Sequence, residues 1–171
     1  MMRACLYALA LTAGLGACSP AAVAPLGPSA AEATSLPMPD FRAHIGQTYE
    51  AFVASPEMTR YAPGELGLNP AEQGRLAVNM NAPMPGKIAE GGGAQALVFG
   101  GCAQTGCADG AGLMAIDLAT GSVFLGVRDG QGADVLVPND RIEALLRINA
   151  PTRRWDDPAG WSEAPAQAGQ P

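Results

Sequence analysis

Four cysteines carry the most reactive side chains of this 171-residue chain. Cys5 and Cys18 lie near the N-terminus, while Cys102 and Cys107 enclose Ala103-Gln104-Thr105-Gly106 between two apolar runs. Two thiols five residues apart can pair in an oxidising compartment or contribute to a metal site. Metal is the weaker reading, since a zinc centre wants four ligands and the single histidine, His44, is remote in sequence. Closing so short a loop restricts the unfolded chain by only about 2 kcal/mol, so such a bond shapes a hairpin tip more than it holds a fold together. A rigid tip suits recognition, because it loses little entropy on binding; the plainer alternative is that the bond pins a strand connection. Little else invites chemistry. The chain has no Gly-x-Ser-x-Gly, no His-Glu-x-x-His and no P-loop. Gly91-Gly92-Gly93 precedes a strand pattern rather than a helix, so it reads as a hairpin connection and not a phosphate cradle. Asp109, Asp117 and Asp129 lie near strands, where solvated charge explains them more simply than a glycosidase pair at fixed separation. His44 reads as a surface or partly buried helix residue. The expectation is a protein that is not an enzyme and holds no cofactor or metal.

Leu15-Gly16-Ala17-Cys18 resembles the end of a bacterial lipoprotein signal, preceded by a basic start at Arg3 and an apolar run over residues 4–15. That run is too short for a bilayer, which needs about 20 apolar residues. The resemblance makes residues 1–17 a cleaved signal and Cys18 a lipid-attachment residue, its thiol diacylglycerylated and its new amine acylated, with palmitate the typical chain. Ser19 stands where an inner-membrane retention signal carries Asp, which implies the periplasmic face of the outer membrane. Export also places Cys102 and Cys107 where thiols oxidise to each other. Without residues 1–17, nine Lys/Arg face 16 Asp/Glu, so nucleic acid is a poor partner and a basic protein a better one.

Composition shifts divide the rest. Residues 18–39 are Ala/Pro/Ser-rich and read as a tether, residues 40–150 as the folded domain, and residues 151–171 as a low-complexity tail. In that tail Trp155 and Trp161 either fold back on the domain or do not. Asp40 is a good helix cap, and Phe41, Ile45, Tyr49 and Phe52 at helical spacing predict one helix over residues 41–54. Ser55-Pro56 opens a short second helix. Residues 62–74, broken by Pro63-Gly64, Gly67, Asn69-Pro70 and Gly74, are predicted as loop. Alternating Leu76, Val78 and Met80 then predict a strand, followed by a Pro/Gly break over residues 83–93. Further strands are predicted at 95–99, 113–118, 122–128 and 133–137, with turns at Thr120-Gly121 and Asp129-Gly130-Gln131-Gly132. Asn139 caps a last helix with Ile142, Leu145 and Leu146 on one face. The predicted fold is α+β, an antiparallel β-meander of about five strands flanked by helices.

The Cys-x4-Cys loop after Phe99-Gly100-Gly101 resembles the Ivy family, inhibitors of vertebrate (c-type) lysozyme. So do Gly112-Leu113-Met114-Ala115-Ile116, Gly121-Ser122-Val123-Phe124-Leu125-Gly126 and Val135-Leu136-Val137-Pro138-Asn139-Asp140. The resemblance covers about residues 41–150 and is specific from about 96 onward. It implies an Ivy-like meander and a disulfide between Cys102 and Cys107. It implies, too, that Ala103, Gln104, Thr105 and Gly106 form a target-binding loop entering the cleft of a c-type lysozyme or another basic envelope-active protein. A homodimer is a further implication. The sequence departs inside that loop: Thr105 stands where the family carries a His, Ala103 replaces a basic residue and Gly106 an acidic one. Thr105 and Gln104 can each donate a neutral hydrogen bond, without the charge assistance that makes such bonds about twice as strong. A non-inhibitory binding module and a structural lipoprotein of the same fold are the alternatives.

Overall fold

A computed structural model describes residues 38–157. Cys18, residues 1–17, most of the expected tether and Trp161 lie outside them. The fold is α+β, built on one six-stranded antiparallel sheet. Its strands are β1 (Ala82–Pro83), β2 (Lys87–Gly91), β3 (Ala94–Ala103), β4 (Gly106–Asp117), β5 (Val123–Asp129) and β6 (Gly132–Val137). The order is β1-β3-β4-β5-β6, and β2 pairs with the same edge of β3 as β1, further from the Cys102 end.

Both faces of the sheet are covered. Leu97, Phe99, Met114, Ile116, Leu125 and Val127 face the N-terminal helical elements, meeting Phe52, Tyr61, Leu76 and Met80 among others. The alternate residues Ala96, Val98, Leu113, Ala115 and Phe124 face α3 (Asp140–Asn149) through Ile142, Leu145 and Leu146. Burial on both faces is why β3 reads as an unbroken apolar run rather than an alternating one. The turns match their sequences: Gly92 and Gly93, at φ 59° and 75°, make the β2–β3 connection, and Gly121 at φ 69° closes the β4–β5 turn. That turn touches the start of the described chain, because a side chain at Gly121 would meet Met38 Sδ at 3.2 Å.

Three expectations are corrected. The single helix over 41–54 is two pieces, a 3-10 turn at Phe41–His44 and α1 at Tyr49–Val53. Gly46 sits between them at φ 85°, a left-handed conformation that no helix continues through, and the Thr48 hydroxyl then caps α1 by accepting from Ala51 N. Residues 62–69 are loop as expected, but 70–74 and the expected strand around Leu76–Met80 give way to α2, Pro70–Asn79. Leu76 and Met80 are buried at 2 % and 4 % exposure while Val78 is 63 % exposed, a pattern that suits helical spacing and defeats alternation. Asn69 starts the helix with a complete capping box: its Oδ1 accepts from Ala71 N and Glu72 N, and Glu72 Oε2 accepts from Asn69 N at 2.8 Å. Finally, the break over 83–93 contains β2 and the end of β1, and these two, added to the four expected strands that remain, make six. The 3-10 turn Pro56–Tyr61 and the Asn139 cap of α3 stand as predicted.

Candidate functional site

Cys102 and Cys107 are disulfide-bonded, with Cα atoms 4.6 Å apart. The bond closes the β3–β4 connection, a two-residue turn at Gln104-Thr105 between paired Ala103 and Gly106. Gly106 takes φ 122°, which only glycine adopts readily, so the tightness of the tip depends on it. Gln104 and Thr105 are exposed and Gly106 is half-buried. Ala103 and Cys102 are buried. Of the four residues expected to form the binding loop, then, Gln104 and Thr105 present their side chains outward.

The register shows a feature that the Cys spacing does not. Cys102 pairs with Ala111, whereas the next residue, Ala103, pairs with Gly106. Residues 107–110 therefore bulge from β4 out of the backbone register with β3, tied to it by the Cys107 disulfide, a far larger insertion than the usual single residue. Glycine makes room for the bulge: a side chain at Gly110 would fall 1.9 Å from Asn79 Oδ1. Arg128, opposite Ala111 on β5, serves the unpaired carbonyls. Its Nη2 donates to Cys107 O, its Nη1 to Ala108 O at 3.4 Å and its Nε to Asp156 O at 3.2 Å. Neither the bulge nor the role of Arg128 was visible in the sequence, because both arise from register.

Beside the tip, a second hairpin ends the sheet at Asp129–Gly132. Arg75 of α2 grips it, donating from Nε to Asp129 Oδ2 at 2.6 Å and from Nη2 to Asp129 Oδ1 at 2.9 Å, with Asp134 Oδ2 at 2.9 Å and Gly132 O at 3.1 Å. The hydrogen bond from Arg75 pulls the Asp129 carboxyl down to about 2. Asp117 lies at the opposite end of β4, buried, with Oδ1 accepting from Ala119 N and Thr120 N. Asp109 is exposed on the bulge. The three aspartates thus have separate structural settings, and Asp117 is not brought to the other two. His44 is buried at 6 % exposure, with Nδ1 3.0 Å from Gln47 Oε1 and its ring edge-on to Phe52. Among the described residues no His/Cys/Asp/Glu group could hold a metal ion.

Trp155 does fold back. Its ring lies edge-on to Phe124, 5.4 Å between centroids, and covers Gly126, where an added Cβ would stand 2.5 Å from the indole. Arg154 donates to both oxygens of Asp156, at 3.0 and 2.7 Å, and that hydrogen bonding holds the Asp156 carboxyl below its ordinary value.

A family model described as inhibitor of vertebrate lysozyme (Ivy) matches residues 67–168, from the residue pair before the Asn69 cap through the whole sheet, α3 and Trp155. Comparison with curated proteins and with solved structures returns no match.

Proposed function

The chain belongs to the Ivy family, the inhibitors of vertebrate lysozyme, and on that premise we propose that it blocks a c-type lysozyme with the disulfide-closed tip. The observation that carries this reading is the exposed pair Gln104-Thr105 on a turn held by the Cys102–Cys107 bond. A tip fixed before binding loses little freedom on entering a cleft. The net charge of −6 favours encounter with a basic enzyme. Thr105 and Gln104 would donate neutral hydrogen bonds to the cleft carboxylates, so binding would rest on fit more than on charge. We further propose that Cys18 carries the lipid that anchors the protein to the outer membrane. Labelling with a fatty acid, lost in Cys18→Ser, tests that part separately.

Titration of the oxidised protein against a c-type lysozyme, followed by lysis of a cell-wall suspension, is the deciding experiment. Stoichiometric loss of lysis is expected; no effect at high micromolar protein would favour a binding module of the same fold, as the neutral tip allows. Thr105→His is expected to tighten binding about fivefold at pH 5.5, since a charge-assisted bond gains roughly 1 kcal/mol over a neutral one. A carboxylate partner raises the pKa of the imidazole, so the gain is full below about 6.5 and fades as pH rises through the raised value. A Thr105→His variant with unaltered affinity at every pH would rule out the tip as the contact.

A further inference from the structure

The four residues of the bulge stand outside the β3–β4 register, and one side chain from β5 reaches the carbonyls of the first two. Arg128 places its guanidinium on the carbonyls of Cys107 and Ala108, next to the disulfide, and on the carbonyl of Asp156. Asp156 is itself fixed from two sides. Trp155 seats on the bare backbone of Gly126, and Arg154 grips the Asp156 carboxylate. The segment is folded on itself as well: Arg153 N donates to Ala150 O at 3.0 Å, and Thr152 donates to Asp157 Oδ2 from N at 3.2 Å and from Oγ1 at 2.7 Å. Arg153 takes φ 60°, unusual for a side chain with a Cβ, as the chain turns to bring Trp155 down. A continuous set of contacts therefore runs from the segment after α3, through one guanidinium, to the Cys107 side of the tip.

We infer that Arg128 is a positioning residue for the target-binding tip and that residues 150–157 are the strap that holds it in place. The functional part of this rests on the reading of the tip given above. Arg128 suits the task because its fork offers five donors in a fixed plane, enough for three carbonyls at once. Lysine at the same position would meet these acceptors as a flexible point charge. The strap acts at a distance, since Trp155 packs on Phe124 and Gly126 rather than on the tip.

Amide exchange of the whole oxidised protein tests the inference without any partner present. In Arg128→Met, which keeps much of the aliphatic stem, amides 107–110 are expected to exchange at least tenfold faster, while those of 96–99 in β3 change less than twofold. Arg128→Lys should recover part of the protection. Arg154→Gln, which leaves Trp155 in place and removes only the grip on Asp156, should give the same local pattern more weakly. A merely structural role would speed exchange throughout the sheet and would move amides 96–99 as well. Dissociation from a c-type lysozyme is expected to be about tenfold faster in Arg128→Met. Unchanged exchange at 107–110 in that variant would overturn the inference. Faster exchange with unchanged dissociation would instead sink the tip as the binding element, while leaving the strap's hold on the bulge established.

Discussion

Replacing Asp129 by Asn removes a charge from the latch that ties α2 to the β5–β6 hairpin, and its cost follows from the geometry. Asp129 takes a two-pronged grip from Arg75 and a third hydrogen bond from Gln131 N at 2.9 Å, with its side chain 19 % exposed. Hydrogen bonding to Arg75 lowers the carboxyl from 3.8 to about 2. A tenfold change in proton affinity is worth about 1.4 kcal/mol, so the carboxylate contributes roughly 2 kcal/mol of stability. Because the folded pKa lies below the unfolded one, that contribution is complete above about pH 4. It is lost as the pH falls through about 2. Asp129→Asn is therefore expected to unfold about 2 kcal/mol more easily than the wild type between pH 5 and 7, a shift of about 1 M in the urea midpoint. The gap should close between pH 4 and pH 2. Urea unfolding followed by tryptophan fluorescence at pH 7, 5, 4, 3 and 2.5, with the disulfide intact, measures it directly. A gap of constant size across that range would show that the latch works by shape and not by charge, and would refute the reasoning.

Other substitutions probe the remaining supports. Gly126→Ala forces a methyl into the Trp155 ring and should cost about 1–3 kcal/mol; in a Trp161→Phe background the emission should move to the red, and an unmoved spectrum would mean that Trp155 is not seated on β5. Asn69→Ala breaks the capping box of α2 and should cost about 1 kcal/mol in chemical unfolding. Cys102→Ser should lower stability by no more than about 2 kcal/mol yet weaken lysozyme binding clearly; full inhibition by this variant would make the bond a strand pin only.

The sheet was largely legible in the sequence because its hairpins are written in local chemistry. Thr120-Gly121, Asp129–Gly132 and Asn139 each specify a turn or a cap through their own backbone preferences, and the elements they bound fall where those residues put them. The region before the sheet was misread where two signals competed. At Leu76–Met80 three alternating apolar residues imitate a strand, while Asn69-Pro70 and Glu72 spell a helix start whose weight Gly74 obscured. At Gly46 one left-handed residue breaks an otherwise helical stripe, and apolar periodicity says nothing about φ. For the tip, the spacing of two cysteines allowed the disulfide, while the exposure of Gln104 and Thr105 depends on how the β3–β4 turn projects and is not written in the spacing. The bulge and Arg128 were not legible either, since a register shift depends on which residues face each other across strands, and an Arg beside Val127 looks like any strand-edge charge.

Met38 rests against Gly121 in the β4–β5 turn, so the chain enters the domain beside that turn. The disulfide closes the other end of the sheet, at Ala103, seven residues along β3 from the level of Asp117 and so roughly 25 Å away. The described chain therefore begins at the heel of the sheet, at the end opposite Gln104 and Thr105, so its entry leaves the tip free of the preceding backbone. Changes ahead of Met38 should accordingly leave the grip of the tip unaltered, whereas changes at Gly106 or Arg128 should not.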